Sequence, residues 1–127
     1  MANVVLDASA VLAVLNSEAG AELVLSELDG AAITAVNYAE VTSKLADGRT
    51  ASSGARHAVL RLGVRIVDFD RDLADRTGEL RPLTRHRGLS LGDRACIALA
   101  EREGATVLTA DRRWRDVIPT VEIRFFR

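Results

Sequence analysis

Four carboxylates, Asp7, Glu40, Asp93 and Asp111, are spread over most of the chain, each tied to the end of an apolar segment. Asp7 follows Val4-Val5-Leu6, and Asp111 follows Thr106-Val107-Leu108-Thr109 by two residues. Glu40 lies one turn into the helix expected after Ala31-Ala32-Ile33-Thr34, and Asp93 in the first turn of the helix that Ser90 opens. Each has an ordinary local use. Asp is a favoured helix N-cap, which suits Asp7 and Asp111. Ser90-Leu91-Gly92-Asp93 and Asn37-Tyr38-Ala39-Glu40 both resemble capping boxes. Four caps meeting at one place would nevertheless leave four anions with nothing to neutralise them. Carboxylates crowded together either take up protons or bind a cation. Oxygen donors with no Cys and no nearby His select Mg²⁺ or Mn²⁺. Such ions, held by carboxylates, are the usual means of cleaving a phosphodiester by in-line attack of an activated water. Ser9 and Thr109, each two residues from a site acid, are placed to supply supporting hydrogen bonds, with Asp116 an outer acid one turn beyond Asp111.

What brings the acids together is the order of elements. Val4-Val5-Leu6 is apolar without alternation, as a strand buried on both faces requires. Ala8 to Leu15 follows as helix, and Ala21, Val24, Leu25 and Leu28 place a second helix that Asp29-Gly30 ends. After the strand Ala31–Thr34 comes a helix over Val36–Ala46 with Tyr38, Val41 and Leu45 on one face, closed by Asp47-Gly48. The next helix starts near Thr50 to Ser53 and ends at Gly63. Val64-Arg65-Ile66-Val67 alternates apolar with charged residues, as an edge strand does. Asp70 to Leu80 is helical until Pro82 ends or kinks it, and Thr84-Arg85-His86-Arg87-Gly88 reads as a polar loop. Ala95 to Ala100 is apolar without a break, so this helix is buried on most sides. Thr106–Thr109 is a fourth strand, Asp111 to Asp116 a helical turn, and Val121–Phe125 an alternating fifth strand. Repeated βα units predict an α/β fold, a parallel five-stranded sheet between two layers of helices. Alternation puts strands three and five at the edges, giving the order 3-2-1-4-5 with the crevice between strands one and four.

The bulk properties are those of one domain, residues 1–127. The chain has 48% hydrophobic and 28% charged residues and a net charge of −1. No apolar run reaches membrane-span length, and the first residues lack a signal-peptide pattern. Cys96 is alone, which excludes a disulfide framework and points to the cytosol. The basic residues are 16 Arg and one Lys, Lys44.

Val5-Leu6-Asp7-Ala8-Ser9-Ala10, Asn37-Tyr38-Ala39-Glu40-Val41, Leu89-Ser90-Leu91-Gly92-Asp93-Arg94 and Leu108-Thr109-Ala110-Asp111 resemble the four acidic motifs of PIN-domain ribonucleases. Length and motif wording are most similar to the VapC toxins of type II toxin–antitoxin pairs. The resemblance spans the chain and finds an acid at all four positions. It implies a Mg²⁺- or Mn²⁺-dependent endoribonuclease, usually a homodimer, acting on RNA such as tRNA, rRNA or mRNA. It also implies a cognate antitoxin whose tail enters the acidic crevice.

Basic and aromatic residues beside the acids are candidates for contact with RNA: Arg85, His86 and Arg87 ahead of Asp93, and Arg112 and Arg113 after Asp111. Trp114 is expected to pack the short helical turn onto the sheet. Asp68-Phe69-Asp70-Arg71-Asp72 approaches a calcium loop, but Leu73 stands where Gly is needed, so it reads as a solvated helix start. A phosphoacceptor domain would need an acidic pair after strand one and a Lys after strand five; the one Lys follows strand two. A nucleotide-binding module would need a Gly-rich loop where Ala8-Ser9-Ala10 stands. The alternative that remains is a non-catalytic RNA-binding or protein-interaction module on the same fold.

Overall fold

Short strands alternate with helices through the computed structural model, which describes residues 1–48 and 52–127. In chain order they are β1 (Val4–Leu6), α1 (Ala8–Leu15), α2 (Ala21–Ser26), β2 (Ala32–Thr34), α3 (Ala35–Asp47), α4 (Ser52–Leu60), β3 (Arg65–Val67), α5 (Arg71–Thr84), α6 (Leu91–Glu103), β4 (Thr106–Thr109) and β5 (Ile123–Phe125). Two 3₁₀ turns, Arg85–Arg87 and Arg112–Trp114, lie before α6 and after β4. All strand pairs are parallel and the order is β3-β2-β1-β4-β5, as the hydrophobic pattern predicts.

Period-two alternation divides the core between the two faces of the sheet. Val5, Ala32 and Val107 pack beneath α5 and α6 with Leu73, Leu80, Ile97, Leu99 and Trp114. Val4, Leu6, Ile33 and Leu108 pack on the other face with Ala10, Val11, Val24, Val41 and Val59 of α1 to α4. The central pair is in register at Val5 with Val107 and Leu6 with Leu108, and the Asp7 N–H extends that ladder by donating to the Leu108 carbonyl at 3.3 Å. Chain therefore leaves β1 and β4 at the same edge of the sheet, where the order reverses.

Several boundaries differ from the sequence reading. α2 stops at Ser26, whose hydroxyl donates to the Leu23 carbonyl; such local bonding competes with helix propagation. Leu25, inside that helix, is 52% exposed rather than on a buried stripe. α5 runs through Pro82 to Thr84, and the expected polar loop is its last turn followed by 3₁₀ helix. The N–H that proline lacks would have bonded to Gly78; both residues are exposed, so water can take the free carbonyl. The helical turn over Asp111–Asp116 is shortened to Arg112–Trp114, with Asp116 beyond it at φ 51°. The start expected for the fourth helix, Thr50 to Ser53, falls partly outside the described residues. Among the described residues no helix is long and apolar enough to cross a membrane.

Candidate active site

Asp7 is the buried acid of the sheet edge. Its carboxylate caps α1, with Oδ1 accepting from the Ala10 N–H at 3.0 Å. The same oxygen accepts from the Ser9 hydroxyl at 2.6 Å, and Oδ2 accepts from the Thr109 hydroxyl at 2.6 Å. The same carboxylate thus caps α1 and is linked through Thr109 to the residue after β4. Thr109 Oγ1 also accepts from the Asp111 N–H at 3.0 Å, so a single buried hydroxyl joins the acids after β1 and β4. Burial drives the Asp7 carboxyl up to about 6, against the three hydrogen bonds that favour its ionised form; the charge of Asp93 raises it further.

Glu40 reaches this edge from α3. The cap of that helix is Thr34, which accepts from the Asn37 N–H at 3.0 Å, so no capping box starts at Asn37. Asn37 is buried instead, and its amide donates to Glu40 Oε1 at 2.7 Å and to the Gly92 carbonyl at 3.1 Å. That amide fastens Glu40 to the first turn of α6. The carboxylate fills the space a side chain on residue 92 would need: a Cβ there would lie 2.6 Å from Oε1 and 2.8 Å from Cδ. Asp93, one residue on, completes a true capping box, accepting from the Ser90 N–H at 2.8 Å while its own N–H donates to Ser90 Oγ at 3.2 Å. Asp7, Asp93 and Glu40 all act on the buried Cys96 thiol, which burial first and these three charges second hold well above its ordinary range.

The profile of the PIN domain matches residues 4–118. The chain belongs to the PIN-domain family. No curated protein sequence matches it at a significant level. Solved structures similar to it include VapBC2 of Rickettsia felis bound to a promoter DNA fragment, with a TM-score of 0.75 and 18% identity over 96% of this chain and 97% of that one. DNA-bound VapBC of Salmonella typhimurium superposes with a TM-score of 0.72 and 17% identity over the whole of both chains. VapBC-5 of Mycobacterium tuberculosis gives 0.59 and 20% identity over 98% of each.

The fourth acid of this PIN domain is not free. Asp111 caps the 3₁₀ turn by accepting from the Arg113 N–H at 3.0 Å, and the Arg113 side chain folds back onto the same carboxylate. Arg113 Nε donates to Oδ1 at 3.0 Å, Nη2 donates to Oδ2 at 2.5 Å, and Nη2 lies 3.7 Å from Asp93. This guanidinium holds the Asp111 carboxyl below the usual carboxylate range, helped by the buried Trp114 Nε1–H, which faces it without reaching full hydrogen-bond geometry. The expectation that the crevice lacks any neutralising group is therefore corrected: Arg113 supplies one positive charge. Among the described residues, no three carboxylate, imidazole or thiol groups stand close enough to hold one ion as they are placed. The donor chemistry still fits a hard divalent cation. It consists of oxygens alone, and Asp7 and Glu40 have no cationic partner among the described residues.

The remaining candidates fall into two groups. The Arg85 and His86 side chains are exposed and make no hydrogen bond among the described residues. Arg87 grips the backbone after β4, with Nη1 donating to the carbonyls of Arg113 at 2.8 Å and Arg115 at 2.7 Å. Arg112 donates to the Arg127 carbonyl at 2.6 Å and lies 4.5 Å over the Phe125 ring. Asp116 is exposed and no hydrogen bond or ion pair links it to the four acids. Trp114 is fully buried, as a packing role requires. Asp70 caps α5 and pairs with Arg102 at 2.9 Å, which leaves nothing of the calcium-loop pattern. Asn37 and Thr34 escaped the sequence reading as site residues; a polar residue one turn after a strand-end Thr, facing the same way as Val41, was their signal.

Proposed function

We propose that this PIN domain is a Mg²⁺- or Mn²⁺-dependent endoribonuclease of the VapC type, the toxin of a toxin–antitoxin pair. The observation that carries the reading is the buried Asp7 carboxylate, kept at the crevice by Ser9 and Thr109 although burial opposes its charge. A helix cap alone needs neither a buried carboxylate nor a hydroxyl that joins it to the residue of a second acid. In this reading Asp7, Glu40, Asp93 and Asp111 hold the ion. When bound, the ion supplies the positive charge that makes water a nucleophile at neutral pH and steadies the charge developing on the phosphate. The protein's own groups do the positioning. Ser9 and Thr109 fix both oxygens of Asp7, Asn37 fixes Glu40, and Ser90 fixes one oxygen of Asp93. Arg85 and His86, exposed in the 3₁₀ turn after α5, are the residues proposed to meet the RNA backbone.

The similar structures from Rickettsia felis and Salmonella typhimurium are VapBC complexes, which supports a cognate antitoxin as the partner here. Apolar surface for it is at hand in Leu23, Leu25 and Leu60, between 37% and 52% exposed on the α1–α4 face. A homodimer acting in the cytoplasm completes the proposal.

The test is a substitution series read by cleavage of total RNA and by growth arrest on expression. Glu40→Gln, Asp93→Asn and Asp111→Asn are each expected to lower cleavage by at least about tenfold with the fold intact. Asp70→Asn and Asp72→Asn are expected to leave it unchanged, and equal damage from Asp70→Asn would move the site elsewhere. Gly92→Ala is the finer probe. Its methyl would displace the Glu40 carboxylate and break its bond to the Asn37 amide, a loss of about 1 kcal/mol. The expected result is at least a tenfold loss of cleavage with a melting temperature lowered by only a few degrees. Full activity in Gly92→Ala would mean that the Glu40 position is not used.

A further inference from the structure

We infer that Arg113 is a built-in counter-ion of the crevice, a guanidinium that must leave Asp111 and Asp93 before a divalent cation can be held there. The inference rests on the metal-dependent reading above and adds a competitor carried by the chain itself. Arg113 engages both oxygens of Asp111 and approaches Asp93, so it stands on two of the four groups the ion would need. As the acids are placed, no three of them among the described residues are grouped closely enough for one ion, so binding also requires their side chains to draw together.

Its geometry suits release. The backbone of residue 113 is fixed, its N–H by Asp111 and its carbonyl by Arg87. The side chain, by contrast, is 54% exposed, and its tie outside the acids is one bond from Nη1 to the Gly88 carbonyl at 3.2 Å. Side-chain rotation alone can take the guanidinium into solvent, with no backbone movement. A bidentate pair on a partly shielded carboxylate is stronger than a single surface contact, so the guanidinium neutralises the acids until a cation of higher charge displaces it. The arrangement makes guanidinium and divalent cation mutually exclusive, and coupling of that kind is reciprocal.

The experiment is a calorimetric titration with Mn²⁺ of the wild-type chain, Arg113→Gln and Arg113→Lys at low salt. A second measurement follows the Arg113 Nε–H resonance of the ¹⁵N-labelled wild type during addition of Mg²⁺. Arg113→Gln is expected to bind Mn²⁺ at least about fivefold more tightly than wild type, with Arg113→Lys between them. The Nε–H resonance is expected to move along the same saturation curve as Mg²⁺ binding. Unchanged or weaker Mn²⁺ binding by Arg113→Gln, with wild type binding normally, overturns the counter-ion role and leaves the metal-dependent reading standing. Absence of binding in both chains removes that reading and the inference together. If Arg113→Gln does not fold, Arg113→Lys and the resonance decide: equal affinity and an unmoved Nε–H overturn the proposal.

Discussion

Asp7→Asn is expected to lower RNA cleavage on the order of 10³-fold and, at neutral pH, to raise the melting temperature. Both effects come from one cause. The Asp7 carboxyl is buried and titrates at about 6, against 3.8 for an ordinary aspartate. Holding it ionised at pH 7 therefore costs the fold roughly 3 kcal/mol. Asparagine removes the charge but also one acceptor oxygen, so a hydroxyl of Ser9 or Thr109 loses its partner, worth about 1–2 kcal/mol. The net gain of about 1–2 kcal/mol corresponds to roughly 4–8 °C for a domain of this size. The pH dependence isolates the cause. Because the folded state holds the Asp7 proton more tightly than the unfolded state, that contribution to stability is fully present below about pH 4. It is lost as the pH rises through 6. The difference between Asp7→Asn and wild type is accordingly expected to be absent or reversed near pH 4, to open between pH 4 and 6, and to be level above pH 7. Thermal melts of both chains across that range measure it. A gap that does not change with pH would mean that burial of the charge is not what the substitution relieves.

The approach of Asp7 and Asp111 was legible because both follow strands. Val4–Leu6 and Thr106–Thr109 announce themselves as central strands by unbroken apolar character, and Arg65 marks an edge by breaking it. Once that order is fixed, Asp7 and Asp111 must lie across the crevice from one another, and the Thr109 hydroxyl joins them. What the sequence hid are contacts made only by tertiary approach. Asn37 meets Gly92 across 55 residues, and nothing in either local stretch announces the pairing. Arg113 looked like a residue for phosphate because it sits in a basic run; its grip on Asp111 needs the tight turn that follows β4. Pro82 does not end α5, since that effect of proline depends on whether water can reach the carbonyl it orphans.

Removal of divalent cations by EDTA is expected to abolish RNA cleavage, and Mn²⁺ or Mg²⁺ to restore it. The same ions are expected to stabilise the fold, because they bind the native arrangement of acids and not the unfolded chain. At a concentration one hundred times the dissociation constant that linkage contributes about 2.7 kcal/mol, or roughly 8–12 °C in melting temperature for a chain of this length. Part of the gain is relief at Asp7, whose ionised form then has a cationic partner in place of the apolar surroundings that oppose it. The two large effects are consequently linked: Asp7→Asn, already relieved of its charge, is expected to show a much smaller Mn²⁺-induced rise than wild type. Asp70→Asn, whose carboxylate caps α5 far along the chain from the crevice motifs, is expected to show the full rise. Differential scanning fluorimetry of the three chains with and without millimolar Mn²⁺, beside cleavage assays in EDTA, tests the pair. Cleavage undiminished in EDTA overturns the metal-dependent mechanism. An equal Mn²⁺ response in wild type and Asp7→Asn would place the ion away from Asp7 and leave the buried carboxylate without the role proposed for it.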